Sequence, residues 1–87
     1  IVTGASRGIG AAIARRFAAE GAKVAIVART LEPGGALSGS LAETAALIRS
    51  AGGECLTIQA NLVDPIDRAR IIPATVRHFG RLDILVN

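Results

Sequence analysis

Three glycines, two hydroxyls and a guanidinium lie together in Thr3-Gly4-Ala5-Ser6-Arg7-Gly8-Ile9-Gly10, with the spacing G-x-x-x-G-x-G. The β-branched stub Ile1-Val2-Thr3 precedes them, and an alanine-rich helical pattern follows directly. A strand, a glycine turn and a helix start form the geometry that holds a diphosphate. Gly4 can turn sharply off the strand end, and Gly8 lets backbone approach a phosphate with no Cβ in the way. Gly10 lets the new helix pack closely on the sheet. The helix N-terminus then presents unpaired N–H groups and the positive end of its dipole to the anion. The spacing is not G-x-G-x-x-G, and no Gly-Lys-Ser/Thr follows, so a P-loop is excluded.

The elements that must position this loop alternate along the chain. Val24-Ala25-Ile26-Val27-Ala28 is a short continuous apolar run, as in a strand buried on both faces. Leu56-Thr57-Ile58 and Ile84-Leu85-Val86 read the same way, so with the stub there are four expected strands. The first helix starts near Gly8, with Ile9, Ile13 and Phe17 stacked on one face, and Glu20-Gly21 ends it. Ser40-Leu41-Ala42-Glu43 fits a capping box. Leu41, Ala45 and Ile48 make the buried stripe of that second helix, and Gly52-Gly53 stops it. Asp64-Pro65 opens a third helix. Its expected stripe is Ala69, Ile72, Val76 and Phe79, its end is Gly80, and Pro73 inside it should kink it. This alternation predicts an α/β fold: a doubly wound parallel sheet, Rossmann-like and partial, with strand order 3-2-1-4 and three helices. The ligand crevice belongs at the switch point between strands 1 and 4. Thr30 to Gly39 is a Gly/Pro/Ser-rich loop, read as a surface insertion in preference to a flap beside an adenosine site.

The glycine segment resembles the cofactor loop of the short-chain dehydrogenase/reductase family, whose pattern is T-G-x-x-x-G-I-G. Leu82-Asp83-Ile84-Leu85-Val86-Asn87 resembles the run into that family's N-N-A-G motif. The two anchors bracket essentially the whole chain. The resemblance implies that residues 1–87 are the N-terminal portion of a single NAD(P)-binding Rossmann-like domain, truncated at both ends. It implies cofactor contacts at Gly4, Ser6, Arg7, Gly8, Ile9, Gly10, Arg29, Asn61, Leu62 and Asn87. In NAD-specific folds an acidic residue ends the second strand and repels a 2′-phosphate. Here that strand ends Val27-Ala28-Arg29-Thr30, and Arg29 offers a guanidinium fork instead. Arg7 is a second nearby cation in the resembled fold, so NADP(H) is expected ahead of NAD. Asn61 stands where the family usually has an Asp against the adenine amino group; its amide carbonyl can still accept. Leu62 would contribute its backbone, and Asn87 matches the first Asn of N-N-A-G.

In the resembled family a Ser and a Tyr-x-x-x-Lys pair carry catalysis. None can be placed here, so the chain is expected to hold cofactor-binding residues and no catalytic ones. The parent is read as a cytoplasmic, homo-oligomeric oxidoreductase that moves a hydride between NADP(H) and a small alcohol or carbonyl substrate. The alternative is a non-catalytic dinucleotide-binding or sensor module of the same fold. With 51% hydrophobic residues the 87-residue chain is globular. Its charge of +3 and pI of about 10.5 raise the question of nucleic acid. The arginines are scattered over three helices, and only Phe17 and Phe79 are aromatic, so no stacking platform exists. No hydrophobic run approaches the ~20 residues of a membrane span. The lone Cys55 excludes a disulfide framework and reads as a buried hydrophobe. His78 suits a helix C-terminus better than catalysis, and Asp64 and Asp67 read as a cap and a first-turn charge, with no metal site.

Overall fold

The buried side chains of Lys23–Ala28 alternate between two hydrophobic clusters, and this alternation decides the architecture. In the computed structural model, which describes residues 1–87, Val24 and Ile26 enter one cluster while Ala25 and Val27 enter the other. The first cluster also takes Ala14, Ala18, Leu41, Ala45, Ile48 and Cys55. The second takes Ile1, Ile58, Ala60 and Ile71. The sheet is therefore covered on both faces, as a parallel sheet requires.

In chain order the elements are β1 (Val2–Thr3), α1 (Gly8–Ala19), β2 (Lys23–Ala28), α2 (Leu41–Ser50), β3 (Glu54–Gln59) and α3 (Pro65–Phe79). The strands are parallel and ordered β1-β2-β3. Helices α1 and α2 pack on the first face and α3 on the second. The expected fourth strand is present only as one parallel bridge, Val2 with Val86, on the open side of β1. Thr3 N–H donates to the Val86 carbonyl at 3.0 Å, Val86 N–H to the Ile1 carbonyl at 2.8 Å, and the Ile1 amino group to the Ile84 carbonyl at 2.9 Å. Ile84 and Leu85 remain exposed.

Register puts the carboxyl ends of the strands level. Thr3 pairs with Val27, and Val27 with Ile58. Gly4, Arg29 and Asn61 consequently emerge along one rim, with Asn87 beside Thr3.

Two expected stripes are corrected. Ile9 is 81% exposed, and α1 buries Ala14 and Ala18, with Ile13 and Phe17 only partly covered. Small side chains face the sheet because the helix starts hard against β1. In α3 the buried positions are Ile71 and Thr75, one residue off the expected phase, while Ile72 and Val76 are exposed. α3 runs on through Pro73, which is exposed and leaves the Ala69 carbonyl without its helical donor. The α2 stripe is as expected, with Thr44 buried in addition.

Candidate functional site

The N-termini of the three helices differ in what their free N–H groups meet. In α2, Leu41 and Ala42 donate to the Thr30 and Leu31 carbonyls at 2.9 Å. Glu43 donates to Ser40 Oγ at 3.1 Å, and Thr44 to the Ser40 carbonyl. In α3, Asp64 Oδ1 accepts from Ile66 N–H at 2.9 Å, and Pro65 has no N–H to satisfy. In α1, Arg7 stands at the cap with extended backbone and no side-chain cap bond. The N–H groups of Ser6, Arg7, Gly8, Ile9 and Gly10 have no protein acceptor. In α3 only the Asp67 N–H is left over, whereas α1, which follows the glycine loop, presents a run of open donors.

The loop's shape follows from its sequence. Gly8 has φ of 58°, in the left-handed region, and a Cβ there would stand in open space. Gly10 is required for a different reason. Its Cβ would strike the Gly4 carbonyl, 2.7 Å from the carbon, and lie 3.1 Å from the Thr3 oxygen. Only a glycine lets α1 begin this close to β1. Ala5 N–H donates to the Val27 carbonyl at 3.2 Å, and Thr44 Oγ1 donates to the Ala5 carbonyl at 2.9 Å in a buried bond. Thr44 was not among the expected site residues. Its signal is a hydroxyl set within the apolar stripe Leu41, Ala45 and Ile48, where it must find a partner.

A cleft of about 490 Å³ opens along the rim, lined by Gly4, Ser6, Arg7, Arg29, Asn61 and Leu62 with their neighbours. A larger hollow between β3 and α3, lined by Arg70, Arg77 and His78, lies away from the glycine loop. The cleft unites six of the ten expected residues. Gly8 and Gly10 belong to the adjoining helix start, Ile9 projects outward beside them, and Asn87 sits at the other end of the rim. There Thr3 Oγ1 donates to Asn87 Oδ1 at 2.9 Å.

Arg29 is exposed, and its guanidinium has neither a hydrogen-bond nor an ion-pair partner. Arg7 is engaged: its Nη2 donates to the Gly39 carbonyl at 3.1 Å. The Asn61 carbonyl oxygen accepts from Val63 N–H at 3.1 Å, while its amide nitrogen stays free. Leu62 gives its carbonyl to Arg68 at 2.8 Å and keeps its N–H open. The loop after β2 is a surface feature at its exposed tip, but Gly39 at its far end rests on the glycine loop.

The Asp67 carboxylate accepts Asn61 N–H at 2.8 Å and pairs with Arg70, and these bonds hold it below the usual carboxylate range. Burial pushes the Cys55 thiol up, against a smaller opposing effect of Arg49, so it stays a neutral packing group. The exposed His78 ring meets Phe79 edge-on at 4.8 Å. No three His, Cys, Asp or Glu residues gather as a metal site.

The family pattern described as short chain dehydrogenase matches residues 1–87. The chain belongs to the short-chain dehydrogenase family. Among relatives of this family, hydroxysteroid dehydrogenase-like protein 2 of Danio rerio is 43% identical over 86 residues, covering 99% of this chain and 21% of that protein. A short chain dehydrogenase from Mycobacterium thermoresistibile superposes with a TM-score of 0.88 at 46% identity, covering 98% of this chain and 30% of that one. A metagenomic short-chain oxidoreductase in complex with NADP superposes with a TM-score of 0.84 at 38% identity, covering 97% and 35%. The chain thus spans about a fifth to a third of the lengths of these short-chain dehydrogenases.

Proposed function

We propose that this chain is the NADP(H)-binding part of an oxidoreductase that moves a hydride between the nicotinamide and an alcohol or carbonyl substrate. The observation that carries the reading is an unpartnered Arg29 on the cleft rim, one residue past β2, where a carboxylate would exclude a 2′-phosphate. The open N–H groups from Ser6 to Gly10 suit a diphosphate, and the empty space over Gly8 leaves it room. Asn61 and the Leu62 N–H border the place for an adenine, with the Asn61 amide nitrogen as its free group. Asn87 lies at the far end of the rim beside Thr3, where the nicotinamide end would run. The bound cofactor supplies the hydride; the residues of this chain bind and orient it. A relative of this chain holds NADP, which agrees with the phosphate reading. The chain contains no Tyr, so a Tyr-x-x-x-Lys pair would have to come from elsewhere in the protein.

Titration of the full-length protein with NADPH and NADH tests this. NADPH is expected to bind more tightly, and Arg29→Asp to reverse most of the preference, since it exchanges a phosphate clamp for a repeller. Equal affinity for the two cofactors before and after the change would refute it.

A further inference from the structure

β3 is the outer strand of the sheet, with β2 on one side and no strand on the other. Ala60 N–H donates to the Ala28 carbonyl, and backbone groups alternate in direction along a strand. Leu56 and Ile58 therefore turn their N–H and carbonyl groups toward β2, while Cys55, Thr57 and Gln59 turn theirs outward. An open row of this kind is a template for a further strand. Two exposed arginines reach it from helices on opposite faces of the sheet. Arg49, in the last turn of α2, donates from Nη2 to the Cys55 carbonyl at 3.0 Å. Arg70, on α3, donates from Nη2 to the Gln59 carbonyl at 3.0 Å, and the Asp67 carboxylate steadies it at 3.1 Å. The Thr57 carbonyl between them is the one acceptor of the row without a protein donor.

A second copy can meet this edge antiparallel, about a two-fold axis at Thr57. Such a pairing sets Thr57 against its counterpart, and Cys55 against Gln59 of the other copy, each pair exchanging both of its N–H···O bonds. The arginines occupy the acceptors that every pair except the central one requires. The Thr57 pair alone supplies too few bonds to hold two proteins together. We infer that Arg49 and Arg70 are edge guards: they keep β3 from pairing with β3 of a second copy and so confine assembly of the full-length protein to its other surfaces. The inference stands independently of the cofactor reading.

The experiment is sedimentation velocity of the full-length protein over a wide range of concentration, together with hydrogen exchange at the Thr57 amide. The assembly state of the wild type is the reference, and its Thr57 amide should exchange fast. Arg49→Met combined with Arg70→Met frees both carbonyls. It should add a concentration-dependent association, tighter by about tenfold or more than any further association of the wild type, and slow the exchange at Thr57. Thr57→Pro in the same background removes the central N–H, which makes no bond to β2, and should abolish the added association. A protein that had merely lost stability would aggregate more with that proline, not less. Arg49→Met alone leaves Arg70 and Asp67 in place and should show the same association more weakly; it carries the test if the double variant fails to fold. Unchanged mass in the variants that fold would overturn the inference. So would an association that survives Thr57→Pro, or a Thr57 amide already protected in the wild type.

Discussion

A Cβ on Gly10 meets backbone, whereas a Cβ on Gly8 meets nothing, so the two glycines should fail in different ways. Gly10→Ala must push α1 off β1 and is expected to cost about 3 kcal/mol in a urea unfolding curve. Gly8→Val strains a left-handed residue by about 1–2 kcal/mol, yet fills the space proposed for phosphate. Its main effect should be lost cofactor binding in calorimetry, with a melting transition still present. Thr44→Val keeps the shape and leaves the buried Ala5 carbonyl unpartnered, at an expected cost of about 1–3 kcal/mol in the same unfolding assay. At this scale the glycine spacing was readable, because a turn and a close approach state their requirements locally. The bonds from Arg7 to Gly39 and from Thr44 to Ala5 were not, because the partners lie more than thirty positions apart.

Caps were the most legible part of the elements, since a cap is a bond between neighbours in sequence. Ser40 and Asp64 both accept the N–H bonds their positions imply, and Ser40→Ala should lower stability by about 1 kcal/mol. Helix phase was less legible in α3. Two adjacent apolar stripes run along it, and periodicity alone does not say which one meets the sheet. Packing of Ile71 against Val27 and Ile58 decides it. Ile71→Ala is therefore expected to cost about 2–4 kcal/mol, and Ile72→Ala to stay within about 0.5 kcal/mol, read by chemical denaturation. Asp67 ties the first turn of α3 to Asn61 at the end of β3. Its folded-state pKa is depressed, first by the Asn61 N–H and then by Arg70. Its stabilisation is present above the unfolded carboxylate pKa of about 4 and is lost as pH falls through the lower folded value. Asp67→Asn should remove that part of the acid sensitivity, which stability measured from pH 6 to pH 2 would reveal.

Over the whole molecule, strand–helix alternation announced a doubly wound parallel sheet, and the split of β2 between two clusters is its physical form. Of the fourth expected strand, Ile84-Leu85-Val86, the Val86 bridge to Val2 and the bond from the Ile1 amino group to the Ile84 carbonyl are present. The net charge of +3 is spread over the helices and gathers at no aromatic platform. Filter binding is expected to show no salt-dependent affinity for nucleic acid. No helix is long and apolar enough to cross a membrane. The closure of α2's first two N–H groups by Thr30 and Leu31 has a practical side. Those bonds join the two ends of the loop, so the chain between Leu31 and Gly39 is a loop with a locked neck. Material added at its exposed tip, Pro33 to Leu37, enlarges the ring without pulling on β2, α2 or the cleft. Doubling the length of such a ring costs only about 0.6 kcal/mol. The tip is thus a natural socket for a reporter peptide or a surface tether that leaves the rest of the molecule undisturbed.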